Sequence, residues 1–472
     1  MDLKGQTVLV LGLGATGLSA SRWLKRRGAQ IRVADSRDVP PMAEALAREF
    51  PGAELVTGEF RVALLQGVDC VVLSPGIAQT EPVVMEARRQ RIPVAGDVEL
   101  FAQALARIEA QSVRFGMGRP KVLAVTGTNG KSTVTAMAGA LCREAGLNTV
   151  IAGNIGLPVL DALIEHEDKG RLEQIEVFVL ELSSFQLETT ESLDADAATV
   201  LNVTEDHLDR YPNINAYSRA KARIFAGDGV QVLNREDPRS SAMVLGGRRV
   251  LSFGSDVPKS EAEWGIFQWQ GETWLGQGRR NLMPLRELPL AGLQNVLNAL
   301  AALALCRALS LPYAPMLEAL NRFKGLPHRV QQVATISGVT FYDDSKGTNV
   351  GATAAALAGF SQPVVLIAGG DGKGQNFAPL KSPVKRRARA VVLIGRDRER
   401  IAQALAGSEV PLSRAETMQE AVSCAFSEAQ RGDAVLLSPA CASFDMYRNY
   451  EQRGQAFIAA VESLKNGHDR AA

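Results

Sequence analysis

Lys121-Val122-Leu123-Ala124-Val125-Thr126-Gly127-Thr128-Asn129-Gly130-Lys131-Ser132-Thr133 passes from an apolar run into a glycine-bearing turn, and Ala136-Met137-Ala138-Gly139-Ala140-Leu141 continues it as a helix pattern. Strand, loop and helix in that order predict an α/β sheet with an anion site at its edge. Glycines let backbone N–H groups close on a phosphate, and a helix amino terminus adds roughly half a positive charge. Lys131 brings a full charge for β- and γ-phosphates, and the Ser132 hydroxyl suits Mg2+. Gly127, Thr128, Asn129, Gly130, Lys131, Ser132 and Thr133 are therefore the expected ATP loop. Strict GxxxxGK spacing would place glycine where Val125 stands, so the loop is a variant of that pattern. The bland alternative, a glycine turn carrying a solvated lysine, leaves the flanking strand and helix unexplained.

Two further turns share this design. Upstream, Thr7-Val8-Leu9-Val10-Leu11 precedes Gly12-Leu13-Gly14-Ala15-Thr16-Gly17; downstream, Val364-Val365-Leu366-Ile367-Ala368 precedes Gly369-Gly370-Asp371-Gly372-Lys373. Three such starts in 472 residues predict three α/β domains, at about 100–200 residues per domain. The expected spans are 1–107, Rossmann-like; 108–326, a P-loop-type ATPase domain with a mainly parallel sheet; and 327–472, Rossmann-like again. The polar stretch Gln111–Pro120, with Gly116 and Gly118, suits the first connection, and Gly325-Leu326-Pro327 the second. Between Ser252 and Pro289, short segments bearing Trp264, Trp269 and Trp274 are expected to form antiparallel hairpins appended to the central domain. Ligands of open α/β sheets lie beyond the carboxyl ends of the strands, so the three turns should face pockets between domains.

Composition removes several classes of function. The chain is 46% hydrophobic and 22% charged, which excludes a disordered or highly charged scaffold. Fifty-two Lys and Arg against 51 Asp and Glu leave +1, too little for a broad cationic face, so no nucleic-acid partner is expected. Five cysteines without a CxxC pair argue against a disulfide framework or zinc cluster. The first residues lack the apolar core of a signal peptide, and Val296–Cys306 meets Arg307 too soon to span about 30 Å of hydrocarbon. A cytoplasmic protein without membrane insertion is expected.

Chemistry-bearing residues cluster after apolar runs. Val177-Phe178-Val179-Leu180 ends in Glu181, a carboxylate that would suit a hard cation beside Ser132 or, read alone, an ordinary strand-end glutamate. His207 lies in Asn202-Val203-Thr204-Glu205-Asp206-His207-Leu208-Asp209-Arg210, just after the strand pattern Ala197–Leu201; read alone, a single histidine is more often structural than a ligand. Gly12–Gly17 with Asp35 matches the dinucleotide fingerprint, although the same turn would hold any nucleotide diphosphate. Two lysines, Lys346 and Lys373, sit on strand-end loops, where together they could grip a dicarboxylate; read alone, they are more often simply exposed in turns. Ser438-Pro439-Ala440-Cys441-Ala442-Ser443 follows another apolar run; Cys441 has no local base and reads as packing.

Taken together, GLGATG at 12–17, SPGIA at 74–78, TGTNGKST at 126–133, GNIG at 153–156, LELSSFQLE at 180–188, NVTEDHLDRY at 202–211, GLPHR at 325–329, DSKGTN at 344–349, GGDGK at 369–373 and SPACAS at 438–443 resemble the Mur ligase family. The last loops resemble its glutamate-adding branch. The resemblance implies that ATP phosphorylates the alanyl carboxylate of UDP-N-acetylmuramoyl-L-alanine and that the amine of D-glutamate displaces the phosphate. It also implies magnesium at two sites, held by Ser132, Glu181, His207 and Lys221, the last as a carbamate; Lys131, His207 and Lys221 are the implied catalytic set. By the same resemblance Gly14, Ala15, Thr16, Asp35, Ser36, Arg37, Ser74 and Gly76 face the UDP moiety, with Asn154 and His207 toward the sugar and its alanyl arm. Lys346, Thr348, Lys373, Ser443 and Phe444 look like the D-glutamate pocket, and Asn295, Arg329 and Asp344 like ATP contacts from the domain interface. A monomer that closes its last domain over the middle one is expected.

Three departures from the family pattern stand out. Gln294 replaces a frequent histidine, Tyr450 stands where the family often has Phe, and Gln111–Arg119 lengthens the first connection. A folylpolyglutamate synthase-like ligase would share the ATP loop but has no task for the GLGATG segment. An NAD-dependent dehydrogenase would use Gly12–Gly17 and Asp35 and leave Lys131 idle. A nucleotide-binding module without catalysis would leave Lys131, Glu181, His207 and Lys346 unexplained as a set.

Overall fold

The computed structural model describes residues 3–112, 119–207, 210–290 and 292–469. Gly116 and Gly118 of the expected first connection, and Leu208 and Asp209 of the histidine segment, lie outside the described residues. Three sheets divide the chain, each built around one of the glycine turns.

The first sheet comprises β1 (Thr7–Leu11), β2 (Gln30–Asp35), β3 (Glu54–Thr57), β4 (Cys70–Leu73) and β5 (Val94–Ala95), all parallel in the order β3-β2-β1-β4-β5. Helices cover both its faces, so its central strands read as unbroken apolar runs; Val8, Leu9, Val10 and Leu11 are fully buried. Gly17 holds the first turn together. A Cβ there would stand 1.9 Å from the Gly12 carbonyl oxygen, so only glycine lets the helix Ala15–Arg26 pack this close to its strand. The helix Asp97–Ser112 follows β5 and runs through residue 107.

The central sheet holds β6 (Lys121–Thr126), β7 (Thr149–Gly153), β8 (Val177–Glu181), β9 (Ala197–Val200), β10 (Val230–Asn234), β11 (Val250–Phe253), β12 (Glu263–Trp269), β13 (Glu272–Gln277) and β14 (Arg280–Pro284). Its order is β14-β13-β12-β11-β10-β9-β6-β8-β7. The tryptophan-bearing region does form antiparallel pairs, β12 with β13 and β13 with β14, and these extend the edge of the same sheet. Behind the sheet, every residue of Val296–Cys306 is buried because the helix Leu293–Ala308 is wrapped by the sheet and by the helix Lys131–Glu144. Burial on all sides removes amphipathic periodicity, which explains the apolar run that ends at Arg307. No helix among the described residues is long and apolar enough to cross a membrane.

The third sheet contains β15 (Gln331–Ile336), β16 (Val339–Asp343), β17 (Val364–Gly369), β18 (Ala388–Ile394), β19 (Leu412–Arg414) and β20 (Ala434–Leu437), ordered β15-β16-β20-β17-β18-β19. All neighbours are parallel except β15 and β16, which form a hairpin over Ser337-Gly338. Gly325-Leu326-Pro327 lies between the helix Tyr313–Arg322 and β15, as expected of the second connection.

Candidate active site

Most of the expected site residues fall at the carboxyl ends of adjacent strands; Lys221 and Asn295 lie in helices, and Arg329 precedes β15. Across the central sheet in the order β7-β8-β6-β9, the strand ends deliver Asn154, Glu181, the Gly127–Thr133 loop and the Asn202–His207 segment. In the third sheet, β16, β20 and β17 lie side by side and deliver Asp344 to Thr348, Ser438 to Ser443, and Gly370 to Lys373. Residues far apart in sequence thus line one edge, the general property of such sheets.

The phosphate loop is locked from behind by the histidine segment. Thr128 N donates to Asn202 O at 2.9 Å, Asn129 N to Asn202 Oδ1 at 2.8 Å, and Thr204 N to Thr128 Oγ1 at 3.1 Å. Gly130 is left-handed at φ +86°, and a Cβ on it would meet Asn298 Oδ1 at 2.5 Å, so the turn into the helix Lys131–Glu144 requires glycine. Lys131 Nζ donates to the carbonyls of Gly127 at 3.0 Å and Thr128 at 2.9 Å, folded over the loop it would share with phosphate. Its burial lowers its pKa, opposed by the charges of Glu181 and Asp206.

Glu181 is 2% exposed. Its Oε1 accepts from Asn154 Nδ2 at 2.8 Å, while its buried Oε2 has no hydrogen-bond partner among the described residues. An unsatisfied buried carboxylate oxygen is costly, and a hard cation is the partner its chemistry suits. Ser132 Oγ, which accepts from Arg329 Nη2 at 2.7 Å, adds a second oxygen at the start of the same helix. No cluster of three His, Cys, Asp or Glu side chains suited to a metal occurs among the described residues. Glu181 and Ser132 therefore offer two oxygens, and a hard cation here would take its remaining ligands from water or phosphate oxygens.

Lys221 is 1% exposed, the last turn of the helix Ile214–Ala222 carrying it inward rather than to the surface that helix spacing alone suggests. Its Nζ donates to Gly127 O at 2.8 Å and stands 4.4 Å over the Tyr217 ring. Burial, reinforced by the charge of Lys131, pushes its pKa well below the usual lysine range. His207 is left-handed at φ +54° and packs edge-on to Phe185 at 4.8 Å between centroids. Burial holds its imidazole below the usual range; the nearby charges of Lys373, Lys131 and Lys221 act in the same direction and Asp206 against them. A neutral imidazole is the ligating form.

Between the second and third sheets lies a cavity of about 490 Å3, bounded by Asn129, Gly130, Asn295, Asn298, Arg329 and Asp344. The three residues expected to contact ATP from the interface all line it, as does Gln294. Burial raises Asp344 to about 7, against a hydrogen bond from Ser438 Oγ at 2.7 Å and the charge of Arg329. Lys346 Nζ sits 3.6 Å over the Tyr450 ring; burial, then the charge of Arg329, lowers its pKa to about 8. Tyr450 therefore remains beside the expected acceptor pocket despite departing from Phe. Thr348 N donates to Lys346 O at 2.8 Å, and Ser443 is buried. Phe444 is instead 68% exposed, its ring not enclosed by the pocket walls. The buried Arg453 was not singled out by the sequence, yet it donates to Ser345 Oγ at 3.0 Å, Ser345 O at 2.7 Å and Cys441 O at 3.0 Å, tying two of these loops together. Cys441 is buried, which raises its thiol pKa and fits packing rather than reactivity.

At the first sheet, Gly14, Ala15 and Thr16 form the open amino terminus of the helix Ala15–Arg26, which has no side-chain cap. Asp35 accepts from Leu13 N at 2.6 Å, Arg37 N at 2.9 Å, Arg37 Nε at 2.8 Å and Arg37 Nη2 at 2.7 Å. Burial opposes its ionisation, but these bonds from Arg37 and Leu13 hold it down at about 2. Four donors, three of them from Arg37, fill the capacity of this carboxylate. Ser36 is exposed beside it, and Ser74 Oγ donates to Gly12 O at 2.7 Å. Arg210, also unassigned by the sequence, joins this domain to the next: it donates to Gly76 O at 3.2 Å, Ile77 O at 2.7 Å and Glu188 Oε2 at 3.2 Å above the Phe185 ring.

Family models match along the chain in the same tripartite order: a Mur ligase MurD-like N-terminal domain over residues 6–96, a Mur ligase middle domain over 125–306, and a Mur ligase glutamate ligase domain over 328–441. The chain belongs to the Mur ligase family. Among Mur ligases, it is 56% identical to the UDP-N-acetylmuramoylalanine--D-glutamate ligase of Nitrosospira multiformis, with 98% of this chain and 97% of that protein covered. It is 57% identical to the enzyme of the same name from Thiobacillus denitrificans, covering 98% of each. Solved Mur ligase structures share the fold at lower identity. UDP-N-acetylmuramate-alanine ligase from Thermotoga maritima is 20% identical with a TM-score of 0.58, covering 97% of this chain and 100% of that one. MurF from Acinetobacter baumannii is 17% identical with a TM-score of 0.59, covering 97% and 91%.

Proposed function

We propose that this Mur ligase joins D-glutamate to UDP-N-acetylmuramoyl-L-alanine at the expense of ATP, as a cytoplasmic monomer in peptidoglycan precursor synthesis. The observation that carries the reading is the convergence of the phosphate loop, the unpartnered Glu181 oxygen and the Lys346 loop at one domain interface, in a chain 56% identical over its length to a ligase of that name. Residues 1–107 would bind the UDP moiety, 108–326 ATP, and 327–472 the amino acid.

A carboxylate resists attack by an amine until one oxygen becomes a leaving group. Phosphoryl transfer from ATP to the alanyl carboxylate forms a C–O–P bond and releases ADP. The neutral amine of D-glutamate then attacks the carbonyl carbon, the C–O bond to phosphate breaks, and an amide, inorganic phosphate and a proton result. Such transfer is catalysed chiefly by positioning and charge neutralisation. Lys131 and the backbone N–H groups of the loop hold the β- and γ-phosphates, and Asn295, Arg329 and Asp344 line the nucleotide cavity. Bound magnesium would supply further positive charge to the phosphate oxygens. Ser132 and Glu181 would hold one ion; His207, neutral because it is buried among cations, would help hold another. Lys221 fits a carbamate because its buried amine is readily deprotonated. The free amine and CO2 form an N–C bond and release a proton, changing a cation into a carboxylate-like ligand. Gly14, Ala15, Thr16, Asp35, Ser36, Arg37, Ser74 and Gly76 would take the uridine diphosphate, leaving Asn154 and His207 toward the sugar and its alanyl arm. Lys346, Thr348, Lys373 and Ser443 would receive the two carboxylates of D-glutamate, with Phe444 at the pocket's edge.

The test is ADP release measured with each acceptor in turn. We expect turnover only when UDP-N-acetylmuramoyl-L-alanine and an amino acid are both present, fastest with D-glutamate; equal rates with L-glutamate or lysine would refute the acceptor.

A further inference from the structure

Asn349 ends the Asp344–Asn349 segment and performs two tasks at once. Its Oδ1 caps the helix Val350–Ala358 by accepting from Ala352 N at 2.8 Å. Its Nδ2 reaches across the domain interface to Asn129 Oδ1 of the phosphate loop at 3.0 Å and to Asp206 Oδ2 at 3.3 Å. Asp206 in turn accepts from His207 N at 3.0 Å. Asn349 is 4% exposed, and close approach continues beyond it: a Cβ on Gly351 would lie 3.1 Å from Thr204 Oγ1 and 3.5 Å from Asn129 Nδ2. The next residue carries the connection onward. Val350 N donates to Gln375 Oε1 at 3.1 Å, and Gln375 Nε2 donates to Gly372 O at 3.1 Å, beside Lys373.

We infer that Asn349 is the positioning residue that latches the last domain onto the phosphate loop, so that the acceptor loops are in register only when Asn129 and Asp206 are in place. This rests on the ligase reading, since the latch matters to catalysis only if acceptor and nucleotide meet at this interface. One side chain here bonds the nucleotide loop, the segment carrying His207 and the helix that leads to the Lys373 loop. A bond to a charged acceptor such as Asp206 is stronger than a neutral one. Closure held by it would weaken sharply when the amide donor is lost.

Cap and latch separate by substitution. Serine is as good a helix cap as asparagine but has no amide to span the interface; aspartate also caps, and sets a second carboxylate against Asp206. In Asn349→Ser we expect the melting temperature to stay within about 2 °C of the parent, because the cap survives. ADP formation should fall about ten- to a hundredfold, as expected from losing a neutral and a charge-assisted bond. Asn349→Asp should fall further. Small-angle scattering, with and without adenylyl imidodiphosphate and magnesium, should show a larger radius of gyration for both Asn349 variants. An unchanged radius in both conditions overturns the latch, whether or not the parent makes ADP. Scattering therefore separates failure of the latch from failure of the ligase reading, which an inactive parent would signal. Activity within twofold of an active parent, or melting lowered as much in Asn349→Ser as in Asn349→Ala, would overturn it equally.

Discussion

Lys346 illustrates how a single ionisation sets a working range. Its ordinary value of 10.5 is lowered to about 8 by burial and by Arg329, so it is cationic below pH 8 and neutral above. If it receives a glutamate carboxylate, the KM for D-glutamate should climb as pH rises through about 8, approaching tenfold per unit, as charge is lost. Lys346→Arg, whose guanidinium stays charged, should flatten that rise; initial rates from pH 7 to 9.5 would show it, and a flat profile in the parent would contradict it. At this scale the sequence was informative where a residue type and its neighbours share one task. Lys131, Ser132 and Glu181 were legible because glycine turn, lysine, hydroxyl and strand-end acid form a local pattern. Lys221 was named only through the family resemblance, because its burial depends on how the helix Ile214–Ala222 meets the loop 94 residues earlier. Arg453 was illegible for a similar reason: it ties Cys441 to the loop of Ser345, 108 residues earlier, and no local pattern records that link.

Among the elements, strands buried on both faces were the readable ones. β1, β6, β8, β17 and β20 are short apolar runs because helices cover them on either side. β15 was missed because its burial is uneven and its pairing with β16 shifts register between Gln332 and Ala334. The available signal was Ser337-Gly338, at φ +50° and +83°, a turn suited to a two-residue hairpin. Gly17 provides an element-level test. Gly17→Ala would force its new methyl into the Gly12 carbonyl, and the helix Ala15–Arg26 must move off β1. Overpacking of this kind costs about 1–3 kcal/mol, so we expect a lower melting temperature and weaker binding of the UDP substrate, with ATP affinity kept. Calorimetry and separate titrations would resolve the two; equal weakening of ATP would argue against an independent first domain.

At the level of the whole molecule, three sheets were foreseeable and their mutual arrangement was not. Contacts that set it link residues far apart, such as Arg329 with Ser132 and Arg22 with Asp161, and no local pattern records them. The first interface relies partly on ion pairs between the helices Ala15–Arg26 and Val159–Asp168, including Arg22–Asp161 at 3.0 Å. Partly exposed pairs of this kind contribute about 0–1 kcal/mol each. The central domain has a different foundation, the helix Leu293–Ala308, buried from Val296 to Cys306. Hydrogen exchange should rank its amides among the slowest in the protein, opening only when the central domain unfolds, while Arg22 and its neighbours exchange sooner. Exchange as fast in Ala299–Leu305 as in Ala15–Arg26 would refute that order.

That helix also places Asn298 beneath Gly130, so the Gly130 turn stands on a pillar buried from Val296 to Cys306. Warming should therefore idle the machine by loosening what comes to the pillar long before it disturbs the pillar itself, and activity should fade while the nucleotide seat is still intact.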